Sequence, residues 1–356
     1  MIQVTKTFLP PQEEYNAILK RAWDAGWITN RGALVQELEE KLKTYLQVPN
    51  IIAMTNGTLP LQIAIKALGL KGEIITTPFS YVATTSSIVW EGCTPVFVDI
   101  HPEYLTIDET KIEAAITHKT SAILATHVFG NPCAVEKIET IAEKYNLKVI
   151  YDAAHCFGVT YKGKSIFEYG DVSTCSFHAT KLFHTGEGGA MFTNDNELYN
   201  KLFYHHNFGH KGKEDFQGMG INAKMSELQA AMGLAVFPYL KLITEGRRRV
   251  IQFYKSELPT FMEMKLREDT IWNYSYFPII FENQNQLLRV QKLLNGVNIF
   301  PRRYFYPSLE NLPYVEGEMC LKSQYVSERI LCLPLYPDLE YRHLQQIVKI
   351  ISTIKQ

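Results

Sequence analysis

Between residues 50 and 151, short apolar runs alternate with segments of helical spacing. The apolar runs have the length of buried strands and lie at residues 51–55, 74–77, 96–100, 122–127 and 148–151. The segments of helical spacing lie at residues 61–68, 82–90, 110–116 and 135–145. Because this alternation is typical of a mostly parallel sheet with helices on both faces, we predict an α/β fold.

The turns after these strands are the first place to search for a ligand site, because ligands of such sheets bind beyond the carboxyl ends of the strands. The strand at residues 51–55 is followed by Asn56, Gly57 and Thr58, and Pro60 lies in the first turn of the next helix. Free N–H groups at a helix start, together with the Thr58 hydroxyl, suit a phosphate group. Taken alone, the tripeptide is better explained as a simple strand-to-helix turn.

Two further strand ends carry chemically useful side chains. Asp152 ends one predicted strand and is followed by two alanines and His155. A carboxylate there could keep a pyridinium nitrogen protonated, although aspartate is equally suited to capping a helix. His155 suits either a hydrogen bond to a cofactor or a satisfied core position. Phe79 and Tyr81 follow another strand, where an aromatic ring could stack on a planar ligand. Taken singly, either ring is better explained by packing in the core.

The sequence S-F-H-A-T-K ends at Lys181 and follows a strand-like run that begins at residue 172. A turn containing Gly186, Gly188 and Gly189 leads from this lysine to a second apolar strand. A lysine in such a loop is most often a solvated surface charge. Ser176 nearby and the three glycines, which allow close backbone approach, also suit a lysine that forms a Schiff base with a carbonyl cofactor. Taken alone, the loop is still better explained by a surface charge.

The order of these groups along the chain is more informative than any one of them. Gly57, Tyr81, Asp152 and Lys181 all fall on the same predicted edge of the sheet. A phosphate, a ring face, a ring nitrogen and an aldehyde would each meet one candidate partner there. This constellation is typical of an enzyme that uses pyridoxal 5'-phosphate.

The chain divides into a large domain and a small one. Two long helices are predicted at residues 225–237 and 239–258, separated by a kink at Pro238, and Pro259 marks a boundary. After it, the patterns predict strands near residues 274–281 and 297–303, a helix near 284–294 and a closing helix from about 340. We therefore predict a large cofactor-binding domain at residues 1–258, which includes the N-terminal segment, and a small α/β domain at residues 259–356.

Charge and cysteine usage exclude several classes of protein. The 356 residues carry 36 basic and 37 acidic side chains, a net charge of -1, so no basic excess indicates nucleic acid as a partner. The six cysteines are scattered without metal-ligand spacing, which favours free thiols in a reducing compartment and no metal site. No signal peptide and no apolar run of membrane-spanning length is found in the sequence, so we predict a cytoplasmic protein.

With these motifs in place, the chain resembles the DegT/DnrJ/StrS family of nucleotide-sugar aminotransferases, of aspartate aminotransferase-like fold. The resemblance extends from G-W-I-T-N-R-G near the N-terminus into the small domain. The segments that carry it are T-P-V-F-V-D-I, H-V-F-G-N-P-C, Y-D-A-A-H-C-F-G, S-F-H-A-T-K and G-E-G-G. It implies fold type I of the pyridoxal phosphate-dependent transferases, with a mostly parallel central sheet flanked by helices.

The resemblance also implies a role for each candidate residue. Lys181 would form the Schiff base, and Asp152 would pair with the pyridinium nitrogen. His155, where many members have Gln, would contact the ring hydroxyl, and Tyr81 would cover the ring. The implied partners of the phosphate are Gly57, Thr58, Ser176 and, from the neighbouring subunit of a homodimer with shared active sites, Asn222.

The implied reaction is transfer of an amino group from L-glutamate to a nucleotide-linked sugar. Pyridoxamine 5'-phosphate would be the intermediate form of the cofactor, and the acceptor a dTDP- or UDP-linked 4-keto-6-deoxyhexose. The product would supply an amino sugar for a surface polysaccharide, such as the O-antigen of lipopolysaccharide, or another glycoconjugate.

Three alternatives to this reaction remain. They are C3 amination of a dTDP-3-keto-6-deoxyhexose, a dehydratase on the same fold, and a sensor that binds its ligand without turnover. The presence of Lys181 disfavours the dehydratase, because relatives of that kind replace the lysine by histidine. The presence of Asp152 and Ser176 beside Lys181 disfavours the sensor.

Contacts to the sugar and the nucleotide are expected in three segments. The predicted substrate-binding residues are Trp27, Thr29, Arg31, His210, Lys211, Arg303 and Tyr304. Arg302, Arg303 and Lys211 would meet a diphosphate, or else are plain surface charges. The roles of His178 and His184 stay open, as does that of Lys224, where many members of the family have Arg.

Overall fold

A computed structural model describes residues 1–258, 261 and 264–353 of the chain. The strands are β1 Ile2–Gln3, β2 Ile51–Met54, β3 Glu73–Thr76, β4 Thr94–Phe97, β5 Thr120–Thr126, β6 Lys148–Asp152, β7 Thr160–Tyr161, β8 Lys164–Ser165, β9 Val172–Ser176, β10 Gly189–Phe192, β11 Thr270–Ile271, β12 Pro278–Ile280, β13 Ile299–Phe300 and β14 Ile330–Cys332. The α-helices are α1 Gln12–Ala25, α2 Ala33–Leu46, α3 Leu59–Ala67, α4 Val82–Trp90, α5 Val135–Tyr145, α6 Asn196–His206, α7 Glu227–Val236, α8 Leu240–Glu257, α9 Gln284–Gly296, α10 Leu321–Arg329 and α11 Tyr341–Ser352.

The large unit is built around a seven-stranded sheet with the order β2-β10-β9-β6-β5-β3-β4. β10 runs antiparallel to both of its neighbours, and the other pairs are parallel. The predicted α/β fold with a mostly parallel sheet is therefore confirmed. The carboxyl ends of β3, β5, β6 and β9 meet at one edge, which is where the candidate ligand groups were expected.

The sheet is buried on both faces because successive residues of its strands point in opposite directions. In β2, Ile51 and Ala53 join the core formed with α2 and α7, whereas Ile52 and Met54 join the core under α3. This two-sided burial explains why the strands read as continuous apolar runs in the sequence.

Four sequence-based element predictions, one helix and three strands, need correction. The helix predicted at residues 110–116 is wrong, because the chain forms two short 3-10 turns there, Glu109–Lys111 and Glu113–Ala115. Asp108 caps the first turn through the amide of Thr110, and a seven-residue segment is too short to gain much from helix propagation. The strands predicted near 96–100, 274–281 and 297–303 are displaced or shorter, as the bounds of β4, β12 and β13 show.

The small unit has its own hydrophobic core. Helices α9 and α11 pack there with the second half of α8, and β12 pairs antiparallel with β14. Ile2 of the N-terminal strand also belongs to this core, because β1 pairs in parallel with β13. A 3-10 turn that contains Pro238 separates α7 from α8, as predicted. Pro259, the predicted boundary residue, lies outside the described residues.

Three further features bear on the predicted class of protein. All six cysteines are buried and carry free thiols. Within the described part of the chain, no helix combines the length and the apolar character needed to cross a bilayer. The same residues include no cluster of His, Cys, Asp and Glu side chains that could hold a metal ion.

Candidate active site

A cavity of about 240 Å³ lies at the carboxyl edge of the central sheet, where segment 302–305 of the small unit covers it. It brings together groups that are far apart in the sequence. The predicted site residues that line it are Gly57, Thr58, Tyr81, Asp152, His155, Ser176, Lys181 and Tyr304.

Gly57 lies in the turn after β2, directly against Ser176 at the end of β9. A Cβ atom added at Gly57 would be 2.8 Å from Cβ of Ser176 and 3.0 Å from its Oγ, so only glycine leaves this corner open. The amides of Thr58 and Leu59 each donate to Asn56 Oδ1 at 2.9 Å. Contrary to the expectation from the sequence, these two N–H groups are therefore not free, because the asparagine forms a local turn with its own chain.

Asp152 is buried at the end of β6. Its Oδ2 accepts a 2.6 Å hydrogen bond from the Thr84 hydroxyl, and its Oδ1 accepts one of 3.1 Å from the amide of Ala154. Burial raises the pKa of the Asp152 carboxyl, while these hydrogen bonds and the charge of Lys181 act against that rise. The helix-cap interpretation is wrong, because turns and not a helix follow Asp152.

His155 is held as a neutral ring. Its Nδ1 accepts the Phe129 amide at 3.2 Å, which leaves the proton on Nε2 and makes that atom a donor. Burial lowers the pKa of His155 well below its usual value, with a smaller contribution from Lys181. The ring stacks nearly parallel to Phe129 and Phe305, which fix its orientation.

Lys181 follows β9 and extends into the cavity, so the interpretation as a plain surface charge is wrong. Its Nζ lies 5.8 Å from the ring centroid of Tyr276, a residue of the small unit. Burial lowers the pKa of the Lys181 amine, whereas the nearby Tyr304 and Asp152 favour its charged form. A Cβ atom at Gly189 would be only 2.3 Å from the carbonyl oxygen of Asn56, so the turn after Lys181 requires a glycine there.

The two histidines near Lys181 differ in their surroundings. His178 lines the cavity, and its Nδ1 lies 2.8 Å from the Thr180 hydroxyl. His184 is buried away from the cavity, with Nε2 2.7 Å from the carbonyl oxygen of Phe8. His184 therefore joins the N-terminal segment to the loop, whereas His178 faces the ligand space.

The two aromatic residues after β3 have different environments. Phe79 is fully buried in the core, as expected for a packing residue, whereas Tyr81 is 52% exposed and lines the cavity. Tyr81 directly precedes α4 with an extended backbone, which places its ring over the ligand space and not under the helix.

The arginines of segment 301–307 point in different directions. Arg302 lines the cavity and lies over the ring of Tyr304 at 4.5 Å. Arg303, the predicted substrate contact, does not line the cavity. Its Nη2 donates to the carbonyl oxygen of Glu328 at 3.3 Å, and its guanidinium stacks at 3.5 Å over Tyr306.

The other predicted substrate residues lie outside the cavity lining within this single chain. Arg31 is paired with the buried Glu39, to which its Nε donates at 2.8 Å. The remaining ones lie at or near the surface and are Trp27, Thr29, His210 and Lys211. Asn222 is also exposed, and its Oδ1 accepts a 2.7 Å hydrogen bond from Nζ of Lys224. The structure therefore groups the predicted cofactor residues other than Asn222, but not most of the predicted substrate residues.

Sequence reasoning missed three residues that shape the site. Thr84 contacts Asp152, and its position on the buried face of a predicted helix was an available signal. Tyr276 packs beside Lys181. Asn273 donates to the carbonyl oxygen of His155 at 2.9 Å. Tyr276 and Asn273 belong to a segment about a hundred residues after Lys181, where no local pattern marks them as site residues.

Comparison with known proteins agrees with this geometry. The model of the DegT/DnrJ/EryC1/StrS aminotransferase family matches residues 11–352. A dTDP-4-amino-4,6-dideoxy-D-glucose transaminase of Shigella dysenteriae is 43% identical, with 99% of each chain covered. A protein of the same name from Escherichia coli is 39% identical, with 98% of each chain covered.

Solved structures show the same fold. The structure of DesI in the presence of its TDP-sugar product superposes with a TM-score of 0.93 at 30% identity, covering 99% of this chain and 92% of that one. A DegT/DnrJ/EryC1/StrS aminotransferase from Brucella abortus gives a TM-score of 0.89 at 27% identity, covering 96% and 95%.

Proposed function

Since the chain belongs to the DegT/DnrJ/EryC1/StrS aminotransferase family, we propose that it uses pyridoxal 5'-phosphate to aminate C4 of a dTDP-linked 4-keto-6-deoxyhexose. L-Glutamate is the proposed amino donor. The observation that carries the proposal is the convergence of Lys181, Asp152 and Ser176 on one cavity beside Gly57.

The groups around the cavity fit this cofactor. Ser176 and Thr58 offer hydroxyls for a phosphate beside the open corner at Gly57. Asp152 offers a carboxylate for a ring nitrogen, and Nε2–H of His155 offers a donor for a ring oxygen. When bound, pyridoxal phosphate supplies an aldehyde carbon for amines and a ring that accepts the electrons of a substrate C–H bond.

Each of these side chains then has a defined task. The Lys181 amine would accept the proton from the α-carbon of the donor and hold it at Nζ for transfer to the former aldehyde carbon of the cofactor, which requires a neutral amine. Burial favours that neutral form. Asp152 holds the proton on the ring nitrogen, His155 orients the ring through its oxygen, and Tyr81 shields one face from water.

The sugar is proposed from the relatives. Two of them, 43% and 39% identical, are named for dTDP-4-amino-4,6-dideoxy-D-glucose, and the DesI structure contains a TDP-sugar product. C3 amination is the second candidate, because a 30% identical relative from Acidithiobacillus ferrooxidans is named as a 3-aminotransferase of a UDP-sugar. We propose that the product supplies a surface polysaccharide or glycoconjugate.

We also propose a homodimer in which each chain completes the other's site, in the cytoplasm. Several apolar side chains are exposed in the loop that precedes Asn222, namely Phe208, Phe216, Met219 and Ile221. We propose that a second copy of the chain covers them and that Asn222 then contacts the phosphate of its neighbour. The free thiols of all six cysteines support a reducing compartment.

The cofactor proposal is tested by absorbance spectroscopy. The purified chain with pyridoxal phosphate should show a visible band that shifts when glutamate is added. Lys181→Ala should lose the lysine-linked band and turnover, whereas the matched change Lys349→Ala at an exposed position of α11 should keep both. Full aminotransferase activity in Lys181→Ala would refute the assigned role.

The acceptor and the assembly need separate experiments. Incubation with a panel of dTDP- and UDP-keto sugars plus glutamate, with the amine position read by NMR, distinguishes C4 from C3 amination.

Mixing inactive Lys181→Ala with Asn222→Ala chains tests site sharing. Failure to regain activity counts against a shared site if mixed dimers form and Asn222→Ala is itself inactive.

A further inference from the structure

Three hydroxyl groups form a buried row behind Asp152. Thr84 Oγ1 donates to Asp152 Oδ2 at 2.6 Å. Ser80 Oγ lies 2.7 Å from Thr84 Oγ1 and 2.9 Å from Thr126 Oγ1. All of these side chains are buried, so bulk water does not compete for their hydrogen bonds.

Counting protons gives this row a direction. A hydroxyl group has a single proton to donate, and an ionised carboxylate only accepts. Because the Thr84 proton points at Asp152, the hydrogen bond between Ser80 and Thr84 must be donated by Ser80. Thr126 must then donate to Ser80. The three O–H dipoles therefore point the same way, and each polarises the next.

We propose that Thr126, Ser80 and Thr84 form a proton-ordered chain that holds Asp152 as a carboxylate. Thr84 is the positioning residue of this chain, because it contacts Asp152 directly. That this carboxylate pairs with a cofactor ring nitrogen rests on the proposed function. The ionisation of Asp152 in the cofactor-free protein is independent of the proposed function.

The surroundings of Asp152 explain why such support is needed. Burial disfavours its charge, and the titratable groups that interact with it are Lys181, Cys156 and Cys175. Burial raises the pKa of both thiols, so they stay neutral and supply no positive charge. His155, on the same cavity, is neutral as well. Lys181 helps only while it is protonated, and its proposed task requires the neutral amine. The hydroxyl chain stabilises the carboxylate in both states of the lysine.

The experiment measures the titration of Asp152 in the full-length, cofactor-free protein. Difference infrared spectroscopy detects the protonated carboxyl group, and its band is assigned by its loss in Asp152→Asn. Thr84→Val should raise the titration midpoint by about one to two pH units, the effect of one hydrogen bond to a charged group. Thr84→Ser, which keeps the hydroxyl, should restore a midpoint close to that of the unmodified chain.

Thr85→Val is the matched control. Thr85 is the next residue of α4, is equally buried, and its Oγ1 has no hydrogen-bond partner among the described residues. Its replacement should leave the midpoint unchanged. An unchanged midpoint in Thr84→Val, or an equal rise in Thr85→Val, would overturn the proposal.

Thr126→Val provides an independent variant at the end of the hydroxyl row that lies farthest from Asp152. It should raise the midpoint in the same direction but by less, because it acts through two further hydroxyls. If Thr84→Val does not fold, Thr126→Val decides the test. A rise in the titration midpoint supports the proposed row of hydroxyl groups, and an unchanged midpoint refutes it. None of these outcomes depends on glutamate turnover, so a failure here is distinguishable from failure of the proposed function.

Discussion

Replacing Gly57 by alanine tests whether the close contact between the turn after β2 and the end of β9 forms the phosphate corner. The new Cβ would lie 2.8 Å from Cβ of Ser176, 3.0 Å from its Oγ and 3.1 Å from its Cα. Two of these atoms, Cα and Cβ, are fixed by the backbone of Ser176 and cannot rotate away. Either the end of β9 or the turn after β2 must therefore move, which changes the position of the Ser176 hydroxyl relative to the corner at Gly57.

The size of the effect follows from that displacement. Crowding in a well-packed region costs about 1–3 kcal/mol of the free energy of unfolding. A hydrogen bond between the Ser176 hydroxyl and a charged phosphate is worth about 1.5–3 kcal/mol. If the displacement breaks this bond, the Kd for pyridoxal phosphate should rise about 10- to 150-fold.

The assay is titration of the cofactor-free protein with pyridoxal phosphate, followed by absorbance. Ser176→Ala removes the hydroxyl without crowding and should show a similar loss of affinity with little loss of stability. Gly296→Ala at the end of α9, where an added Cβ has no neighbour within 4 Å, should match the unmodified protein. Cofactor affinity in Gly57→Ala equal to that of the unmodified protein would refute the reasoning.

Two further predictions concern stability. Asn273 donates to the carbonyl oxygens of His155 and Phe157, both at 2.9 Å, so Asn273→Ala should lower the free energy of unfolding by about 1–3 kcal/mol in urea titrations. A loss of stability well below that range would show that other donors replace the two hydrogen bonds of Asn273. Lys181→Met should stabilise the cofactor-free protein, because burial lowers the pKa of the lysine amine in the folded state below the usual 10.5. The penalty on the charged lysine is fully present below its folded pKa and fades as the pH rises towards 10.5, so the gain from Lys181→Met should shrink in urea titrations at increasing pH. A stabilisation by Lys181→Met that increased with pH would contradict this argument.

Local sequence patterns predicted well which residues meet at the carboxyl edge of the sheet. The glycine at 57, the aspartate at 152 and the lysine at 181 each follow a strand, and parallel strands bring their carboxyl ends to one edge. The predicted helix at 110–116 failed because its spacing was helical but its length was marginal. Short segments carry too little periodic signal to decide their own structure.

The substrate side was less predictable, because neighbouring residues in a loop point in different directions. Arg302 reaches the cavity while Arg303 bonds to the end of α10, and sequence spacing does not distinguish them. Arg31 was predicted to contact the substrate, but it is paired with the buried Glu39. The direction of each side chain in such a loop depends on which other segment of the folded chain packs against the loop.

The sequence by itself determined the α/β fold, the edge of the sheet where the cavity lies, and the placement of Lys181 and Asp152 at that edge. These follow from strand order and strand ends, which are local properties of the chain. Only the tertiary structure showed that Thr84 donates to Asp152 across 68 positions, and that Tyr276 packs beside Lys181. A contact between distant residues leaves no periodic trace in the sequence, because it forms only when helices and strands pack together.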